Sequence, residues 1–261
     1  MRLTPAEAVL QDLGVTDPSE IDLEAIAFDA GAKVRYLALD GCEARIVGAN
    51  DKAIITVNSR SPAARQRFSI AHELGHWHHH RGQCLMCRVE DYHPRTGTSR
   101  ERTADGYAAD LLMPNYLFRP LVRQTKKLDV STIRSFAEAF DVSFTAAAIR
   151  LVEADLEPSM LVCHGRNGRR WFTRSKSIPE RWYPQRELDH ESFAFDIQFG
   201  FAQETLSPKK MGADAWFDRT GADHFEVKEQ TVRIGRNETL TLLLFHDGRM
   251  LEETDTRRAW R

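Results

Sequence analysis

The residues best equipped to do chemistry are His72-Glu73-Leu74-Gly75-His76. On a helix, side chains four apart share a face, so both imidazoles can reach one metal ion. Glu73, next to the first histidine, is placed to take a proton from a water on that ion. A catalytic zinc needs a third protein ligand, usually a carboxylate, and keeps one position open. Glu101 in Glu101-Arg102-Thr103-Ala104-Asp105 can supply that ligand. Asp105, one turn further on, can accept the second ring N–H of a ligating histidine and fix its tautomer. The expected Zn²⁺ set is therefore His72, His76 and Glu101, with Glu73 as catalytic base and Asp105 supporting a ligand.

These residues need two helices and a frame. Ser61-Pro62 opens the metal helix, with Ser61 as cap and Pro62 at the first helical position, and the helix is expected to stop near Gly82. The second runs from Ser99 to Leu112, stopped by Met113-Pro114, and turns apolar at Tyr107, Ala108, Leu111 and Leu112. Upstream, Thr4-Pro5 and Asp22 open two short helices ended by Gly14 and Gly31. Lys33 to Ala38, Glu43 to Val47 and Ala53 to Val57 read as strands. The last of these is expected to be an exposed edge that pairs with extended substrate backbone. Two further helices are predicted, from Ser131 to Phe140 and from Phe144 to Leu156.

The helical period fades at Glu157-Pro158. Met160 to His164 and Arg170 to Thr173 flank Asn167-Gly168, a hairpin signal. Phe193 to Phe201 alternates, and the tail holds two more strands around Gly235-Arg236-Asn237. The expected class is α+β. Residues 1–156 form a zincin-like domain with a small sheet and active-site helices, and residues 158–261 a smaller β-rich domain for regulation or substrate recruitment.

Composition excludes several classes. The chain has 261 residues, 42% hydrophobic and 28% charged, too apolar for general disorder. Lys+Arg 36 against Asp+Glu 38 leaves −2, so nucleic-acid binding would need a local patch. No apolar run approaches the roughly 20 residues of a membrane span, and no membrane partner is expected. Four cysteines make no disulfide framework, and with no secretory signal in the sequence the expected location is cytoplasmic.

The segments Arg67 to His76 and Glu101 to Pro114 resemble the ImmA/IrrE family of zinc metallo-endopeptidases. Phe140-Asp141-Val142-Ser143 and Ala148-Ile149-Arg150-Leu151 are similar to the helices that close that family's domain. The resemblance covers roughly residues 5–156. The family often has a second glutamate where this chain has Thr103, and the ligand role is carried to Glu101. The resemblance implies a cytoplasmic protease with one narrow substrate, a helix-turn-helix repressor whose cleavage switches on stress-response, phage-defence or mobile-element genes.

Other residues compete for roles. Cys87, with Cys84 in a Cys-x-x-Cys pair between the metal helices, can act as an inhibitory fourth zinc ligand, because a metal-bound thiol is deprotonated. Two small buried hydrophobes are the plainer reading. His80 is more simply a helix end than a ligand. Tyr92, His93 and Tyr107 are candidate oxyanion donors, with core packing favoured for Tyr107. Arg166 to Arg186 interleaves bases with aromatics, so Arg169, Arg170 and Arg174 are candidate contacts for a single-stranded nucleic-acid activator; a hairpin with a basic solvent face explains them as well. Ser131 to Leu156 is open to a DNA-binding helix-turn-helix reading, but Arg150 is the only base in its second helix, which favours packing. The rival function is a ligand- or nucleic-acid-sensing transcriptional regulator with a structural zinc. A binding module that holds metal without cleaving is a further alternative.

Overall fold

The computed structural model describes residues 3–79, 99–200 and 202–252. The chain forms two compact units, Met1–Leu121 with Phe136–Ala146, and Val122–Ser135 with Ala147–Arg261. The class is α+β, as expected.

In the first unit, α1 (Pro5–Asp12) starts at Thr4, whose hydroxyl accepts from Glu7 N while the Glu7 carboxylate accepts from Thr4 N. Glu7 also accepts from Asn115 N at 2.6 Å. Its buried charge is thereby satisfied from both sides. Asp22 caps α2 (Leu23–Asp29). Three strands follow, β1 (Ala32–Leu37), β2 (Ala44–Ala49) and β3 (Lys52–Asn58), in the order β1-β3-β2. β1 runs parallel to β3 and β2 antiparallel to it.

The expectation that Ala53 to Val57 forms an edge is corrected. β3 is the central strand, because the tight turn at Asn50, a residue that tolerates its φ of 55°, folds β2 onto one side while β1 takes the other. The edges are β1 and β2. The inward side chains Ala53, Ile55 and Val57 are buried, and β2 and β3 both pack on α3 (Ala63–His79). Helix α4 (Ser99–Leu112) lies against α3. Pro114 both stops α4 and starts α5 (Asn115–Gln124), a helix the sequence reading did not anticipate and which holds Pro120 in its interior. Phe118, fully buried, packs with tilted rings against Phe136 and Phe140 at 5.3 and 5.6 Å between centroids.

Helices α6 (Val130–Ala139) and α7 (Phe144–Ala154) match the two expected ones. The second unit is built on an antiparallel sheet in the order β5-β4-β8-β7-β6. Its strands are β4 (Ser159–Gly165), β5 (Gly168–Arg174), β6 (Lys209–Gly212), β7 (Glu226–Arg233) and β8 (Thr239–Leu244). The Asn167-Gly168 hairpin is as expected, with Gly168 at a φ of 95° that favours glycine. Phe193 to Phe201 does not continue the strand pattern. Phe193–Phe199 is α8, capped by Ser192, and buries Ala194 and Ile197, three apart on one helical face. Trp182, Trp216, Phe217 and Phe245 fill the core between the sheet and the segments crossing it.

Candidate metal centre

Helix α3 presents His72, Glu73 and His76, all buried, with exposures of 0, 0 and 1%. Helix α4 brings Glu101 and Asp105 to the same place. Glycine makes this approach work. A Cβ on Gly75 would sit 2.9 Å from the Cα of Ala104, so α3 carries its smallest residue where the α4 backbone crosses it. The sequence reading gave Gly75 no task, although its position inside the histidine motif was the available signal. Trp77 anchors the helix beyond the motif. It is buried, donates from Nε1 to Ala30 O at 2.8 Å, and packs so closely on Gly48 of β2 that a Cβ there would lie 2.4 Å from its ring.

Three potential ligand atoms converge. His72 Nε2 lies 3.0 Å from His76 Nε2 and 3.2 Å from Glu101 Oε2, and His76 Nε2 lies 3.3 Å from that oxygen. Ligands about 2.0–2.1 Å from a tetrahedral ion are about 3.3–3.4 Å apart, so a cation of zinc's size fits the set with little adjustment. Among the described residues this is the one group of three or more His, Cys, Asp or Glu side chains arranged to hold a metal. Asp105 Oδ1 stands 2.9 Å from His72 Nδ1. A carboxylate accepts, so Nδ1 carries a proton, and Nε2 is the nitrogen that faces the ligand cluster and would give its own proton up to a metal bound there.

The electrostatics favour a cation here. Burial opposes a charge on His72 and is the largest single influence. The hydrogen bonds that the ring donates to Asp105 and Glu101, with the nearby Glu73 charge, together outweigh it and raise the imidazole to about 9. Glu101 is held below the usual carboxylate range, chiefly by its hydrogen bond to His72. Thr103 is not part of the cluster; its hydroxyl donates back to Ser99 O at 2.9 Å on the exposed side of α4.

Other expected residues fall elsewhere. His78 and His79 are exposed and lie against Tyr107, with centroids at 5.2 and 5.7 Å. Tyr107 is buried and raised to about 12 by that burial, in keeping with a packing role. His80, Cys84, Cys87, Tyr92 and His93 lie outside the described residues. Arg169 sits over the rings of Tyr183 and Phe172 at 4.5 and 5.1 Å. Arg170 pairs with Glu238 at 2.8 Å and Arg174 with Glu180 at 2.9 Å. These partners lend no support to a nucleic-acid contact. In α7, Arg150 is buried with Ala147, Ala148, Leu151 and Val152.

Among the described residues, no helix is long and apolar enough to cross a membrane. No curated protein matches the chain. A solved structure described as a Mycobacterium tuberculosis transcriptional regulator is similar at 14% identity and a TM-score of 0.57, covering 92% of this chain and 74% of that one. At that identity the likeness concerns the fold. Residues 27–152, which contain both metal helices, match the family model described as the IrrE N-terminal-like domain, Peptidase_M78.

Proposed function

We propose that the protein is a zinc-dependent endopeptidase that cleaves one specific protein, a helix-turn-helix repressor, and so derepresses stress-response, phage-defence or mobile-element genes in the cytoplasm. The observation that carries the reading is a buried acid, Glu73, next to the His72, His76 and Glu101 cluster. A metal that only holds a fold together has no use for a base at that place, which weighs against the rival transcriptional regulator with a structural zinc. The similarity to a transcriptional regulator bears on the fold and fits a regulatory setting.

In this reading His72, His76 and Glu101 hold Zn²⁺, and Asp105 keeps His72 in its ligating tautomer. The ion, when bound, acidifies water and polarises the scissile carbonyl. Glu73 takes the water's proton and returns it to the departing amine. Burial at this position keeps bulk water from competing for that proton. Extended substrate needs a free sheet edge, and β2 is the edge strand that packs on the metal helix. Residues 1–156 act as the catalytic domain, and residues 158–261 regulate it or recruit substrate. Cys87 remains a proposed brake on the open metal position, read out as raised basal cleavage in Cys87→Ser but not in Cys84→Ser.

The test is co-expression with helix-turn-helix proteins encoded beside the gene. One of them should be cut by the wild type. Glu73→Gln keeps the shape and the metal but lacks the base, so cutting should fall about 10²–10⁴-fold. Full activity in Glu73→Gln would overturn the mechanism.

A further inference from the structure

We propose that the second unit binds a small, multiply charged anion of the phosphate class at the corner where β6, β7 and the end of β8 meet. A cleft of about 470 Å³ opens there, lined by Lys210, Lys228, His224, His246 and Arg249, with Glu226 and Asp247. That volume lies within the range of small-ligand sites.

The arrangement of charge is what points to an anion. Lys210 and Lys228 stand directly opposite each other in the β6–β7 register. Like charges in that position destabilise a sheet. Lys228 is in turn opposite Leu244, and two residues on from it His246 enters the same cleft. The carboxylates of the cleft are already engaged. Glu226 accepts from Lys210 Nζ at 2.8 Å, and Asp247 holds Arg249, with its shortest contact at 2.6 Å. Lys228 has no ion pair among the described residues. The acids facing the two histidines stand further off, Glu157 at 3.8 Å from His246 and Asp223 at 3.9 Å from His224.

Burial lowers the pKa of His246, and Lys228 and then Lys210 push it down further against the pull of Glu157. A neutral imidazole there can still donate an N–H. The cleft thus offers imidazole donors and, in Lys228, an ammonium group that neither of its carboxylates pairs with, since Glu226 is held by Lys210 and Asp247 by Arg249. An anionic ligand removes the repulsion between the two lysines and takes up the donors; lysine serves phosphate as a point charge.

Pyrophosphate is the probe, titrated calorimetrically into the full-length protein at low salt. We expect one saturable site, weakened at least tenfold in Lys228→Met and in Lys210→Met, and kept in Lys228→Arg. Arg169→Met, outside the cleft, should bind as the wild type does. Lys228→Met also carries a second signature. Without probe its melting temperature should equal or exceed that of the wild type, because the repulsion is gone; with saturating pyrophosphate the order should reverse. Absence of saturable binding overturns the proposal. So does equal binding in Lys228→Met, or binding of a single-stranded oligonucleotide that pyrophosphate does not displace. Pyrophosphate can also ligate zinc at the metal centre, and the loss of binding in Lys228→Met and Lys210→Met is what assigns the signal to this cleft; proteolysis plays no part in the readout.

Discussion

Two buried histidines in this protein have opposite fates. His72 and His164 are 0 and 1% exposed, and burial pushes both toward the neutral form. At His72 the hydrogen bonds to Asp105 and Glu101 reverse that push and the group rises to about 9. At His164, on β4, Arg169 adds to burial and the group falls to about 4; the ring instead lies edge-on to Trp216 at 5.8 Å. Burial alone makes a histidine an inert packing residue. Burial among carboxylates makes a place that attracts positive charge, which is what a metal site requires.

The comparison can be broken at either histidine. The largest effect is expected at the cluster. Elemental analysis of protein purified without added metal should find close to one equivalent of zinc, and the His72→Ala, His76→Ala double variant should contain almost none. Full retention of zinc by that variant would place the metal elsewhere.

The next effect concerns His164 and pH. Its folded value, about 4, lies below the ordinary 6.5, so the unfolded chain binds the proton more readily. Its contribution is therefore fully present above pH 6.5 and is lost as pH falls toward 4. The loss amounts to about 3 kcal/mol at the acid end. Urea unfolding across that range should show a shallower acid slope for His164→Gln than for the wild type. Parallel slopes would show that His164 does not titrate as its surroundings dictate.

The smallest effect sharpens the contrast at His72. Asp105→Asn preserves size but no longer fixes the ring tautomer by accepting on a carboxylate. Chelator competition should report metal affinity reduced about 10–100-fold, with the fold intact by circular dichroism. Unchanged affinity would mean that Glu101 and helix packing orient His72 unaided.

Much of the candidate site was legible because its signals are local. The i, i+4 spacing of His72 and His76 sets one face of a helix wherever that helix lies. The capping residues of α1 and α2 and the Asn167-Gly168 turn act within a few residues of themselves, whereas Ser61, expected to cap α3, donates its hydroxyl to Glu43 instead. Legibility failed where the deciding partner was distant in sequence. β3 looks like an edge because it comes last, and only its pairing with β1 makes it central. Phe193 to Phe199 alternates well enough for a strand, but Ser192 caps a helix there and the core receives Ala194 and Ile197. Pro114 reads as a stop, and its carbonyl also begins α5.

The sequence by itself determined the chemistry available: two imidazoles at helical spacing, an acid beside the first, and a second helix bearing two more acids. It also determined that Lys210 and Lys228 exist, but gave no sign that they oppose each other. Tertiary structure decided the meetings. It brought Glu101 within 3.3 Å of both histidine nitrogens, placed Asp105 behind His72, and put glycine at position 75 where two helices cross. The physical reason is range. Helix periodicity, capping and turn chemistry act over a few residues, whereas burial and the field of a neighbouring charge depend on what the rest of the chain packs alongside.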